Sequence, residues 1–183
     1  DSVASRGLGD VYKRQIYNYV ELREELKGLG YTFHTEGDGE PIVVGYHHWG
    51  KDVVNHLRGM FGIVIWDTHT KTMFAARDQF GIKPLYYATT EAGTVFASEM
   101  KCILEMADEI GLELNLDRRA IEHYVDLQYV PEPESLHANI RRVESGCTVT
   151  LRPGEDVVAE RYFKPRFPVQ QVKPVSYTHL TLP

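Results

Sequence analysis

Cysteine is scarce: Cys102 and Cys147 are the only two in 183 residues. Two thiols cannot build the dense disulfide framework of a small oxidised scaffold, so both are expected to be reduced and packed in a core. Long apolar runs are missing as well. No stretch approaches the roughly 20 residues that cross a bilayer as a helix. No charged segment followed by an apolar one opens the chain, as a secretory signal would. Positive charge is in deficit, with 20 Lys and Arg against 26 Asp and Glu and a net charge of −6. Basic residues occur in pairs at most, such as Arg141-Arg142, whereas a nucleic-acid surface wants a basic stripe. No glycine-rich phosphate loop is present. His47 and His48 are adjacent, so on a helix they point apart, and the other histidines lack ligand spacing. These absences predict a cytoplasmic protein with no nucleic acid, no membrane, no metal and no cofactor on this chain.

What is present is ordinary for one domain: 43% hydrophobic and 25% charged residues, enough for a core. Asn18 with Glu21 three residues on reads as a helix start. Leu22, Leu26 and Leu29 line one face, and Gly28 and Gly30 end it. Tyr31 to Thr35 reads as a short strand. Glu40-Pro41 opens a second helix, with Ile42, Val43, Tyr46 and Trp49 on its apolar side. A short helical piece with Val53, Val54 and Leu57 follows. The period then changes to two. Phe61, Ile63 and Ile65 alternate with Gly62, Val64 and Trp66, a strand apolar on both faces. Lys71 to Ala76 returns as a hairpin, and Leu85 to Ala88 with Thr94 to Ala97 forms a second. Ser98 is expected to cap a helix ending near Met106. Asp117 caps another, with Ala120, Ile121, Tyr124 and Leu127 inward. Three strands follow: Ile140 to Val143, Cys147 to Leu151, and Val157 to Tyr162. Sheets apolar on both faces need cover on both sides, so the expected class is α+β, layered antiparallel sheets between helices.

The two ends differ from the rest. Residues 1–15 show neither helical nor strand periodicity, and the string Val-Ser-Tyr-Thr-His-Leu-Thr-Leu-Pro at the end breaks the preceding pattern. Both resemble translated sequencing adapter, so 1–15 and 174–183 are expected to be non-native tails.

Three blocks carry a resemblance. They are Arg58-Gly59-Met60-Phe61, Arg77-Asp78-Gln79-Phe80-Gly81-Ile82-Lys83-Pro84-Leu85-Tyr86-Tyr87, and Phe96-Ala97-Ser98-Glu99-Met100-Lys101. In order and spacing they resemble the glutaminase domain of asparagine synthetase B, a class II glutamine amidotransferase. The stretch Leu127 to Ser135, with Arg161-Tyr162-Phe163, resembles the segment joining glutaminase to synthetase, in actinobacterial-looking wording. The resemblance implies a four-layer αββα sandwich with an N-terminal nucleophile, incomplete here because the first strands lie upstream. It divides the chain into a glutaminase remainder over 16–115, and the domain's end with its connection toward the synthetase over 116–173. It implies glutamine and the parent's own synthetase domain as partners, and allows a homodimer of the parent. ATP and magnesium are implied only for that synthetase domain, beyond these residues.

The resemblance also implies the site. The family's nucleophile is an N-terminal cysteine, so no catalytic residue is expected here: Cys102 sits inside a helix turn and Cys147 begins an interior strand. The family's oxyanion donors are an Asn-Gly pair before Glu-Ile-Tyr-Asn. Here Ile16-Tyr17-Asn18 is preceded by Lys13, Arg14 and Gln15, and an arginine in the glycine's place obstructs close backbone approach. Asp38, within Gly37-Asp38-Gly39-Glu40, matches the aspartate that holds the ammonium of glutamine. By its residues alone Asp38 reads as a helix cap, and Glu40 as a first-turn carboxylate. Arg77, Asp78 and Lys83 are expected to shape a loop.

Overall fold

The computed structural model describes residues 14–167. The first strand, β1 (Arg14–Ile16), leads into helices α1 (Tyr19–Gly28) and α2 (Gly39–Trp49) and a 3-10 turn over Gly50–Asn55. Two hairpins follow, β2 (Gly59–Asp67) with β3 (Thr72–Arg77), and β4 (Tyr86–Thr90) with β5 (Gly93–Ala97). Helices α3 (Met100–Glu105) and α4 (Arg118–Leu127) precede the short strands β6 (Arg141–Arg142), β7 (Cys147–Leu151) and β8 (Val158–Arg161). The strands form two antiparallel sheets, ordered β1-β2-β3-β7-β8 and β5-β4-β6.

Strand periodicity assigns the layers. On β3, Phe74 and Ala76 pack with Leu22 and Leu26 of α1, Ile42 of α2, and Val53 and Val54. Ala75, between them, points the other way and packs with Leu85, Val143 and Val149. In the second sheet Tyr87 and Phe96 join that inter-sheet cluster. Their neighbours Ala88, Val95 and Ala97 pack outward against Ile103, Ala107 and Leu112. Helices, sheet, sheet and helix therefore stack in four layers, the expected α+β sandwich. Each fully buried large aliphatic or aromatic side chain contributes about 1.5–3 kcal/mol to holding these layers.

Several local expectations are corrected. Tyr31 to Thr35 is not a strand, because the Glu40 carboxylate takes the His34 and Thr35 amides that a ladder would need. Asn18 caps no helix by its side chain; it ties α1 to the start of β2 instead. Ser98 caps nothing either, for α3 begins after Glu99. Asp117 does cap α4, its Oδ1 accepting from the Arg119 and Ala120 amides. On that helix, however, only Ala120 is buried, and Ile121, Tyr124 and Leu127 are exposed. Leu29, Val43, Val64 and Trp66 are exposed as well. On β2, Gly62 abuts Pro84 and Leu85, just ahead of β4, whereas Val64 and Trp66 on the same face lie open. Cys147 is buried as expected, but Cys102 is exposed: Ile103 turns inward from α3, and its neighbour lies about 100° around the helix. Arg14 and Gln15, from the stretch 1–15 read as a tail, take part in β1, opposite Phe61 and Met60. The rest of that N-terminal stretch, and the whole of 174–183, lie outside the described residues.

Candidate functional site

The site expected around Asp38 is built from the junction of β1, α1 and α2. The Tyr17 amide donates to the Arg58 carbonyl at 2.7 Å. Asn18 grips the same segment twice, accepting from the Arg58 amide at 2.8 Å and donating to the His56 carbonyl at 2.9 Å. The Ile16-Tyr17-Asn18 string is thereby stitched to the start of β2.

Asp38 stands at the N-cap position of α2 without a capping hydrogen bond from its side chain. The half-buried carboxylate faces β1 instead, with Oδ2 3.4 Å from the Ile16 amide nitrogen. The structure thus brings together Asp38 and the Ile-Tyr-Asn string that the sequence singled out separately.

The turn that carries Asp38 is held from both sides. From α2, Glu40 accepts from the His34 amide, the Thr35 amide and the Thr35 hydroxyl at 2.7–3.1 Å. Slight burial pushes the Glu40 carboxyl up, but these hydrogen bonds outweigh it and leave the group below its ordinary value. From α1, Arg23 donates to Glu36 at 2.8 Å and to the Gly37 carbonyl at 2.9 Å. Sequence reasoning passed over Arg23. The available signal was a charged residue beside Leu22, on a helix whose Leu22 and Leu26 face inward.

Neither of two open cavities includes Asp38. One, about 870 Å³, lies along β4 and the hairpin tip, between Tyr87–Ala92 and the segment Asp108–Glu113. The other, about 270 Å³, lies between Lys51, Asp52 and the start of β7 and end of β8. The two thiols are placed away from Asp38. Burial pushes the Cys147 thiol up, which disfavours the thiolate, and Cys102 lies on the opposite outer layer. Among the described residues, no group of three His, Cys, Asp or Glu side chains could hold a metal ion. His47 and His48 both set their rings edge-on to Tyr31.

The Arg77-Asp78 pair forms a buried polar knot. Asp78 is 1% exposed. Its carboxylate accepts from the Phe61, Phe80, Ile82 and Lys83 amides. Arg77 donates to the carbonyls of Gly81, Lys83 and Val143 and to Glu132. Burial pushes the Glu132 carboxyl up; the Ser145 amide and the Arg77 guanidinium pull harder and hold it below its ordinary value. The loop reading of Arg77 and Asp78 is the one the geometry shows. Lys83 contributes its backbone.

Residues 4–163 match the family model described as a glutamine amidotransferase domain. The chain is 53% identical over 159 residues to a putative glutamine-hydrolysing asparagine synthetase of Mycobacterium tuberculosis, covering 86% of this chain and 24% of that protein. It is 42% identical over 161 residues to a glutamine-hydrolysing asparagine synthetase of Bacillus subtilis, covering 87% and 25%. Among solved structures, a glutamine phosphoribosylpyrophosphate amidotransferase of B. subtilis matches with a TM-score of 0.58 at 21% identity, over 84% of this chain and 28% of that one, a likeness of fold. The chain spans about a quarter of the length of these curated relatives.

Proposed function

The chain belongs to the glutamine amidotransferase family, and from that membership we propose that it is the glutaminase portion of a glutamine-hydrolysing asparagine synthetase. In the longer protein this portion would release ammonia from glutamine, for the amidation of aspartate to asparagine. The observation that carries the proposal is the 53% identity over 159 residues to a protein so named. Less similar relatives are named amidases, such as one of Penicillium rubens at 28% identity over 158 residues. They keep a second acceptor in view.

Hydrolysis of the glutamine side-chain amide needs a nucleophile, oxyanion donors and a grip on the amino acid's charged groups. These residues supply the grip. The Asp38 carboxylate, turned away from its own helix and toward β1, would hold the α-ammonium by charge-assisted hydrogen bonds. Neither Cys102 nor Cys147 is suited to attack. ATP and magnesium would activate aspartate elsewhere in the longer protein, for no phosphate loop occurs in this sequence. Cytoplasmic location and a homodimer of the parent belong to the same proposal. Among the described residues, no helix is long and apolar enough to cross a membrane.

The 183-residue chain is expected to release no ammonia from glutamine above a buffer control. Release above that control overturns the assignment of catalysis to residues outside this chain. In an NMR titration, glutamine should shift the amides of Ile16 and Gly37 to Gly39. N-acetylglutamine, which lacks the ammonium, should not. Equal shifts from both ligands would overturn the role given to Asp38.

A further inference from the structure

Arg23 is only 7% exposed, a costly place for a guanidinium unless its charge is used. Its planar group lies 5.9 Å from the Tyr19 ring centre and 5.5 Å from that of Phe33, close enough for cation–π attraction. One prong donates to the Gly37 carbonyl at 2.9 Å and the other to Glu36 at 2.8 Å. The Glu36 side chain is fully exposed, so that ion pair contributes little. The bond to the Gly37 carbonyl is different. It fixes the peptide unit immediately before Asp38, in a segment flanked by Gly37 and Gly39 that has no intrinsic stiffness. Arg23 Nε is buried with no hydrogen-bond partner among the described residues. The side chain is therefore held by the rings and by its two terminal prongs, and cannot swing away without dragging the turn.

We propose that Arg23 is a positioning residue for the amino-acid site: through the Gly37 carbonyl it sets the direction in which the Asp38 carboxylate meets the substrate ammonium. The proposal rests on the reading of Asp38 given above. Glu40 fixes the turn at His34 and Thr35, three residues upstream of Asp38. Arg23 acts at the residue next to it. Lysine could not replace Arg23, because a single ammonium has no planar fork to rest between two rings and reach two acceptors.

The test compares three variants of the 183-residue chain. Arg23→Met keeps helix propensity and side-chain bulk between the rings but removes the donors. Arg23→Lys keeps the charge. Lys27→Met, on the exposed side of the same helix, is the control. Two readouts are taken on each: hydrogen exchange of the Gly37, Asp38 and Gly39 amides, and the glutamine dissociation constant by NMR titration. For Arg23→Met, exchange at the turn should rise about tenfold and the dissociation constant should rise about tenfold, equivalent to about 1.4 kcal/mol in each. Its melting midpoint should stay within a few degrees of the parent. Arg23→Lys should fall between the two, and Lys27→Met should match the parent. An Arg23→Met chain with parental exchange and affinity overturns the proposal. So does one that loses stability while its folded fraction binds glutamine as before, for that marks a purely structural arginine. If Arg23→Met does not fold, parental exchange and affinity in Arg23→Lys overturn it equally. A parent chain that shows no glutamine shifts overturns the Asp38 reading itself, and with it any substrate role for Arg23.

Discussion

Three donors converge on the Glu40 carboxylate: two backbone amides and the Thr35 hydroxyl. In sequence the residue reads as a first-turn acid stabilised by the helix dipole. Its position is right for that, but the hydrogen bonds to the preceding segment do more, because they replace the ladder of a strand that does not form. Because those bonds favour the charged form, the folded carboxyl titrates below the ordinary value of 4.5. The stability they contribute is therefore complete above 4.5 and is lost as pH falls through the lower folded value. Glu40→Gln should cost about 1 kcal/mol at neutral pH, a figure already modest because the site is open to solvent. The gap between parent and variant should close in acid. Urea unfolding at neutral pH and at low pH checks this, and a gap that persists in acid would contradict it.

At the scale of elements, β1 depends on one glycine. A Cβ placed on Gly59 would lie 1.9 Å from the Gln15 carbonyl oxygen, and that atom is backbone, which cannot rotate aside. Gly59→Ala is therefore expected to detach β1 from β2 and release Ile16 from Asp38. It should cost about 2 kcal/mol or more in unfolding free energy, with accelerated exchange at the Tyr17 amide. In sequence Gly59 appeared only as part of a motif, since a close approach between two strands cannot be seen before their register is known. The reverse holds for α4. Its apolar positions and Asp117 cap are legible in the sequence, and both helix and cap are present. The side on which the helix is covered is not legible, because an amphipathic pattern states which face is apolar and not what lies against it.

Across the whole molecule, the Arg77-Asp78 knot joins parts far apart in the chain. It ties the end of β3 to the loop that crosses into the second sheet, and to Glu132 and Val143 beyond α4. Asp78→Asn would turn a buried amide group toward backbone donors that now share a carboxylate. It should cost about 2–3 kcal/mol in urea unfolding, with the near-UV signal of the aromatic residues lost at lower denaturant. A loss below 0.5 kcal/mol would show that the knot does not hold the sheets.

Much of this protein was settled by local pattern. Alternation on β2 and β3, turn residues between hairpins, and helical spacing around Leu22 and Leu26 were enough to determine a sandwich of antiparallel sheets between helices, because burial enforces those periods. The motif Gly37-Asp38-Gly39-Glu40 was legible as the turn that opens α2. Only the tertiary structure decided how that turn is held: Arg23 and Asp38 are fifteen positions apart in the sequence, and their link runs through a carbonyl. Hydrogen bonds to a carbonyl depend on where the backbone passes, and no side-chain pattern records that.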